Sequence, residues 1–573
     1  MTLESAPSEG AALSENAGQG LSSSSRLPLN RPWGDVLVVL LLLVFSFAVR
    51  QWHLGLPETR YFDETYYSKA GEELLAGRAD SNTVHPPLAK LIIATVGHFY
   101  SAIGEPLQRA GWVGGVTSWA KWRAGSLLFA MLTVPLTWSL ALRMFSSRWC
   151  AATAAFLLSI DFLHLVQSRI TMLDMYLAFF ILFGAWSAWR FIEARRDLDG
   201  WAFVTVLSFS IGFACKWNSL FAGLGATAAM LLLKRYPDGW RGAFRWFWRI
   251  GLLYLVLVPL LYLAAFIPFL WQHKWDVRAS FTDAVKNHKV MINFRYSKEF
   301  THRYMSNFWS WPTMLRPVWY HYEEHKDPEG SLVPPSADSP AARLIWRGRE
   351  PNEYITGILA MGSPFVWWTF LVFLLLTCVQ SVALPLFEIA LAAVRAARAA
   401  ARVNEEPPSE AVSEGAQPAS AEHSPEAAAE APECAISTDS PVDALPCASP
   451  VVAPPPRPSI LGEAWAAGLR CLDGWRFGAE RPWLFLLLMY VPQVLLWSVN
   501  RGFFFYMLPC VPFMCIFIAG ILREWLDLPF GRVCAGAYLG VATLFFVAYY
   551  PLLVGWSIPK PVYEVLVFTP RWI

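Results

Sequence analysis

Long apolar runs separated by short basic turns set the pattern of this chain. The first, over residues 35–52, has the uncharged core VLVVLLLLVFSFAV. Comparable runs follow at 122–145, 149–166, 170–192, 201–215, 217–233, 249–271, 363–387, 482–499, 503–523 and 533–556. About 20 apolar residues cross a bilayer as a helix, so the pattern predicts an all-α polytopic membrane protein of about eleven transmembrane helices. Lys216-Trp217-Asn218 interrupts the 201–233 stretch, which reads either as two helices or as one broken helix. Residues 88–103 begin after two prolines, carry Lys90 and His98, and read as a helix lying in the membrane interface.

Basic residues in the short connections orient the bundle. Arg143 and Arg148 flank one turn, and Arg190, Arg195 and Arg196 another. Lys234, Arg235, Arg241, Arg245 and Arg249 crowd a third, and Arg523 and Arg532 a fourth. An inside N-terminus places all four in the cytoplasm. Two long loops, 53–121 and 272–362, and the C-terminal tail then lie on the extracytoplasmic side of the cell membrane.

Composition adds the flanking material. The 573 residues are 55% hydrophobic and only 16% charged, too little polar surface for a soluble globule of this size. The first run lacks a small-residue cleavage site and reads as an anchor. Residues 1–34 read as a disordered cytoplasmic N-terminus. Residues 35–271 form an N-terminal transmembrane catalytic region, and 363–402 a span continued by a basic helix with Arg395, Arg398 and Arg402. Residues 403–458, rich in Ala, Pro, Ser and Glu, read as a disordered cytoplasmic insertion, and 459–573 as a C-terminal transmembrane region. A net charge of +2 without a basic–aromatic tract gives no reason to expect nucleic acid. The nine cysteines avoid the two outer loops, against a disulfide framework or a zinc site. Gly223-Leu224-Gly225 lies inside an apolar run and reads as packing, so no nucleotide loop is present.

Candidate chemistry gathers where ionisable residues meet the outer face. Asp63-Glu64 follows the first run within YFDETYY, and His85-Pro86-Pro87 and Lys90 follow in the same loop. Such a carboxylate pair deprotonates a hydroxyl, holds a metal, or is simply solvated. Asp161, His164, Arg169 and Asp174 lie around the next outer turn, Lys216 at the one after, and Arg501 opens the tenth run. An ionisable group near membrane depth is either paired with another group, fastening helices, or functional. On the functional reading, Arg169, Lys216 and Arg501 suit an anionic lipid head group.

FDE, HPPLAK, SRITMLD and ACKW, in that order, resemble the protein O-mannosyltransferase family, above all its bacterial members. FFFYMLPCVPF and SWPTMLRPVWYHYE resemble two further motifs of the family, and the likeness runs from about residue 35 to 556 around the insertion. The outer loop is too short for the β-trefoil domain of eukaryotic members. Met507 stands where many relatives carry histidine, so no role is carried to it. The resemblance implies a polyprenyl-phosphate-linked mannose donor and a Ser or Thr hydroxyl on a translocated protein, with the membrane lipid and the protein translocation machinery as neighbours.

On that reading Asp63 is the general base of an inverting displacement and Glu64 orients the acceptor or tunes its neighbour. Arg169, Lys216 and Arg501 hold the donor phosphate, while His85, Lys90 and Asp174 position the substrate. The resemblance fixes no cofactor. A divalent metal held by Asp63 and Glu64 is the competing role. A sister enzyme that places another lipid-linked sugar on lipid A or a wall polymer is one alternative. A transporter is the other, opposed by the lack of repeats and by the gathering of charges on one face.

Two outcomes follow from the pattern. A cysteine introduced at Ser81 or Ser331 reacts with an impermeant reagent from outside intact cells, and one at Asp238 does not; labelling at Asp238 reverses the orientation. Joining Val403 to Ser459, which removes the insertion, leaves membrane insertion and turnover within about threefold, a change on the order of 1 kcal/mol or less. Inactivity of the well-inserted shortened protein makes the insertion a working part.

Overall fold

The computed structural model describes residues 32–109, 119–194, 200–296, 302–325, 353–379, 481–498 and 501–567. The tail over 1–31, the turn arginines Arg195 and Arg196, Ser331, the basic helix over 383–402 and the insertion over 403–458 lie outside them. Residues 377–477 form a unit of their own, of which only 377–379 are described.

Helices occupy the described parts of the eleven apolar runs. α1 (Pro32–Gln51) opens with Asp35 and closes with Arg50, each complementing the helix dipole. The first outer loop contains α2 (Glu64–Leu75) and α3 (Leu88–Arg109), which pack together, and α3 also packs on α4 (Ala120–Phe145). The predicted third span is two helices, α5 (Arg148–Ile160) and α6 (Phe162–Gln167). Asp161 makes the break: its Oδ1 accepts from His164 N–H at 3.0 Å and so caps α6. Its Oδ2 accepts from Ser363 N–H at 3.2 Å and Trp367 Nε1 at 3.1 Å. Then come α7 (Asp174–Glu193), α8 (Gly200–Cys215) and α9 (Ser219–Leu233). The 201–233 stretch is therefore two helices. Ser219 Oγ donates to Phe209 O at 2.8 Å across the turn, which ties the start of α9 to α8.

α10 (Trp240–Ala264), α11 (Ile267–Gln272) and α12 (Val277–Tyr296) lead into the second outer loop. There, β1 (Val318–His325) pairs antiparallel with β2 (Tyr354–Ala360), with a bulge between Trp319 and His321. α13 (Pro364–Cys378), α14 (Arg481–Leu495), a 3-10 stretch (Phe504–Cys510) running into α15 (Val511–Trp525), and α16 (Gly531–Val554) complete the bundle. The tail adds β3 (Ser557–Pro559), antiparallel to β2, and α17 (Lys560–Leu566). The fold is helical as expected, with this three-stranded sheet added at one end.

Among the described residues, six stretches are long and apolar enough to cross a membrane: Trp33–Gln51, Ala120–Phe145, Asp174–Glu193, Trp240–Gln272, Phe504–Trp525 and Gly531–Val554. The chain is a multi-pass membrane protein. α15 and α7 form its interior, whereas α1 and α10 turn most of their apolar side chains outward, as lipid-facing helices do. Turn cations gather at one end of the bundle. Arg148 pairs with Asp35 at 2.6 Å, Arg143 with Glu193 at 2.9 Å, and Lys234 donates to the carbonyls of Phe191 and Ala194 where α7 ends. α2, the start of α7 and the junction of α8 with α9 lie at the other end.

Candidate active site

Asp63 and Glu64 are adjacent in sequence but enter different environments. Phe62 takes a left-handed backbone conformation (φ 50°), and Asp63 stands immediately before α2. The Asp63 side chain caps nothing and bonds to no other described residue, so its carboxylate remains available. Glu64, the first residue of α2, is buried in a fork with Arg123. Arg123 Nε donates to Oε1 at 2.9 Å and Nη2 to Oε2 at 3.1 Å, and Thr171 N–H adds a 2.9 Å bond to Oε1. Arg123 further donates to the carbonyls of Leu54 (3.0 Å), Pro57 (2.9 Å) and Thr59 (3.1 Å). Both Glu64 oxygens are thus engaged in holding the loop to α4. The expectation that Glu64 orients the acceptor is corrected: it is a buried strut. For the same reason Asp63 and Glu64 do not fit a shared metal ion, and no group of three His, Cys, Asp or Glu suited to a metal occurs among the described residues.

Arg169 is corrected as well. Its guanidinium donates to the carbonyls of Arg50 (2.5 Å), Trp52 (2.7 Å) and His53 (3.0 Å), the free acceptors where α1 ends, and to Val554 O at 3.5 Å where α16 ends. Both terminal nitrogens of its fork are spent on two helix termini, which favours a structural role over phosphate binding. Lys90 is also structural. Fully buried, it pairs with Asp80 Oδ2 at 2.5 Å and donates to Asn82 O, pinning the loop that precedes its own helix.

Asp63, Asp174, Lys216 and His85 come together. Lys216 Nζ pairs with Asp174 Oδ1 at 2.8 Å and sits 4.4 Å from the centre of the Tyr506 ring. Burial pushes the Asp63 carboxyl up to about 6, against the pull of the Lys216 charge and with a further rise from Asp174. His85, with its ring 6.2 Å from that of Tyr67, is held neutral by burial and by the charges of Lys216 and Lys90. Arg501 stands apart and exposed, donating to Met305 O at 3.3 Å. Beside it Gly502 exchanges two backbone bonds with Ser306 (2.8 and 3.0 Å), which ties the second outer loop to the stretch carrying Tyr506. A Cβ on Gly502 would meet the Tyr506 and Trp311 rings at 3.1–3.2 Å, so glycine permits this close approach.

Three residues escaped the sequence reading. Arg123 carried a usable signal, a cation that with Lys121 opens an apolar run. Tyr320 and Tyr506 lie in recognised motifs, but nothing in their spacing shows that the fold brings them to Asp63. The Tyr320 ring stacks on Phe62 with centroids 4.4 Å apart, and its hydroxyl accepts from Gln167 Nε2 at 2.7 Å.

Comparison with known proteins bears on the family and the fold. A family model described as dolichyl-phosphate-mannose-protein mannosyltransferase matches residues 40–274, and one for the C-terminal four-span region of protein O-mannosyltransferase matches residues 280–399. The polyprenol-phosphate-mannose–protein mannosyltransferase of Mycolicibacterium smegmatis is 23% identical over 403 residues, covering 60% of this chain and 70% of that protein. Its Corynebacterium glutamicum counterpart is 28% identical over 242 residues, covering 36% and 43%. Among solved structures, the S. cerevisiae protein O-mannosyltransferase Pmt1–Pmt2 complex bound to the sugar donor aligns over 94% of this chain and 93% of that one. The identity is 12% and the TM-score 0.59, a likeness of fold.

The corrected assignments have a direct test. Arg169→Gln and Glu64→Gln lower the melting temperature of the purified protein, since each leaves buried groups unpaired at a cost on the order of 3 kcal/mol. Donor affinity of the folded Arg169→Gln protein stays at the parent level. An Arg169→Gln protein of unchanged melting temperature and lost donor affinity restores the phosphate role.

Proposed function

The chain belongs to the protein O-mannosyltransferase family of glycosyltransferases, and we propose that it moves mannose from a polyprenyl-phosphate donor to Ser or Thr hydroxyls of proteins emerging on the extracytoplasmic side. Acceptors in extended form suit such a site, which makes the translocation machinery a natural neighbour.

The observation that carries the mechanism is the uncapped Asp63 carboxylate beside the Lys216–Asp174 pair. A Ser or Thr hydroxyl is a poor nucleophile near neutral pH. Asp63 takes its proton as the oxygen attacks C1 of the mannose. The bond from C1 to the phosphate oxygen breaks on the opposite side, and its electron pair leaves with polyprenyl phosphate, inverting the anomeric centre. Lys216 uses one donor on Asp174 and has two more for the departing phosphate, where a preformed cation in a water-poor site is worth most. Arg501, exposed and apart from this group, has a lesser part in this reading. His85, neutral and beside Lys216, offers hydrogen bonds without adding charge. Charge explains the pairing of Lys216 with Asp174: without the carboxylate, Lys216 would bind the phosphate product too firmly to release it.

The raised Asp63 group sets the pH profile. Below about 6 the carboxyl is protonated and cannot accept a proton, so kcat/KM falls as pH drops through that value and levels off above it. Asp63→Asn keeps the shape and removes the base. It inserts, melts near the parent temperature and binds donor, yet transfers mannose to a Ser/Thr-rich peptide at least about a hundredfold more slowly. Transfer by the parent survives chelation. Parent-level turnover by Asp63→Asn would falsify the mechanism. A parent protein inert with mannose donors but active with another lipid-linked sugar shifts the reading to a sister enzyme.

A further inference from the structure

Tyr320 is buried in β1, yet its hydroxyl has a donor to spare. Gln167 Nε2 at the end of α6 donates to it at 2.7 Å, which uses an oxygen lone pair and leaves the phenolic proton without an acceptor among the described residues. Gln167 Oε1, also buried, has no partner either. Buried polar groups of this kind are nearly always satisfied, so two incomplete groups side by side mark a place for a ligand. The ring cannot swing away: it stacks on Phe62 at 4.4 Å and meets Phe505 edge-on at 5.8 Å. Phe62 directly precedes the base. The hydroxyl feels the charge of Asp174 first and of Asp63 second, and these charges, after burial, keep its proton on.

A donor sugar that spans from a phosphate at Lys216 to an acceptor at Asp63 passes this point. Asp174 spends Oδ1 on Lys216, and its Oδ2 bonds to no described residue, so it supplies an acceptor beside the phenolic donor. We propose that Tyr320 is a specificity-determining residue whose hydroxyl donates to one hydroxyl oxygen of the donor's mannose, with Gln167 holding the phenol in position and Asp174 accepting from a neighbouring sugar hydroxyl. This rests on the mannosyl-transfer reading above. A site built to bond a substrate hydroxyl discriminates strongly against an analogue lacking it, because its own buried groups are then left unpaired.

The test is a cycle between enzyme and substrate with the full-length protein in vesicles. Parent and Tyr320→Phe are assayed with polyprenyl-phosphate mannose and with its mono-deoxy forms at C2, C3, C4 and C6. Phe keeps the stack, so the melting temperature stays at the parent value. With mannose, kcat/KM falls about tenfold or more, and for one of the deoxy donors the two proteins are equal, since the partner hydroxyl is already gone. Gln167→Leu, which leaves the phenol present but unheld, shows a smaller loss on that same sugar position and gives the answer should Tyr320→Phe fold poorly. An equal loss on every donor, or none on mannose, overturns the proposal while leaving mannosyl transfer standing. A parent that transfers no mannose donor overturns both.

Discussion

The buried fork between Arg123 and Glu64 is the contact on which the end of the molecule that carries Asp63 depends. Taking two charges out of water costs several kcal/mol each, and a lone pair of charges does not recover this reliably. Here the guanidinium bonds both carboxylate oxygens and the carbonyls of Leu54, Pro57 and Thr59, and Thr171 N–H completes Glu64. The net stabilisation matters less than the geometry imposed. One side chain from α4 fixes the chain leaving α1, the start of α2 and the turn before α7. Asp63 is held one residue from that knot, so its backbone has little freedom while its carboxylate remains uncommitted.

Other buried charges, at both ends of the bundle, likewise meet backbone groups at helix termini. Arg169 closes the end of α1, Lys234 the end of α7, and Asp161 the start of α6. Arg50 donates to Ser159 O at 3.0 Å and meets His164 Nδ1 at 2.9 Å where α5 ends. Short and broken helices expose termini inside the bundle, and water does not reach them. Ionisable side chains with several donors or acceptors are the means by which this chain satisfies those termini. The rule that a charge near membrane depth marks a functional site therefore separates into two cases. Charges whose polar atoms are used up by backbone groups and an opposite charge, as in the Arg123–Glu64 and Lys90–Asp80 pairs, hold the chain together, whereas Lys216 spends one donor on Asp174 Oδ1 and Asp174 Oδ2 bonds to no described residue.

That division explains what the sequence could disclose. Apolar runs marked the helices because membrane-spanning length needs no knowledge of partners, and the break at Lys216–Asn218 was visible as polar residues inside such a run. The sheet was hidden: β1 and β2 are far apart in the chain, and β3 lies some two hundred residues beyond. Asp63, His85, Asp174 and Lys216 could be picked out as ionisable residues at the outer face. Arg169, Glu64 and Lys90 looked identical by that criterion, since only tertiary contacts show that their partners are Arg50 O, Arg123 and Asp80. Tyr320 and Tyr506 carry no charge to draw attention, and reach Asp63 only through loop pairing.

Adjacent carboxylates usually raise one another, yet here the neighbour acting on Asp63 is Asp174, far along the chain. Successive residues at a helix start point about 100° apart. Glu64 therefore turns inward to Arg123 while Asp63 lies within reach of the Lys216 and Asp174 charges. Exchanging their environments would put an unsatisfied base into the bundle and a paired, proton-rejecting carboxylate at the reacting bond. The members of the dipeptide are treated oppositely: Glu64 is fully paired, whereas burial without a bonded partner raises the proton affinity of Asp63, as the proposed base requires. The left-handed turn at Phe62 sets that divergence and at the same time presents the ring on which Tyr320 stacks, so the base and the phenol beside it are positioned by a single backbone feature.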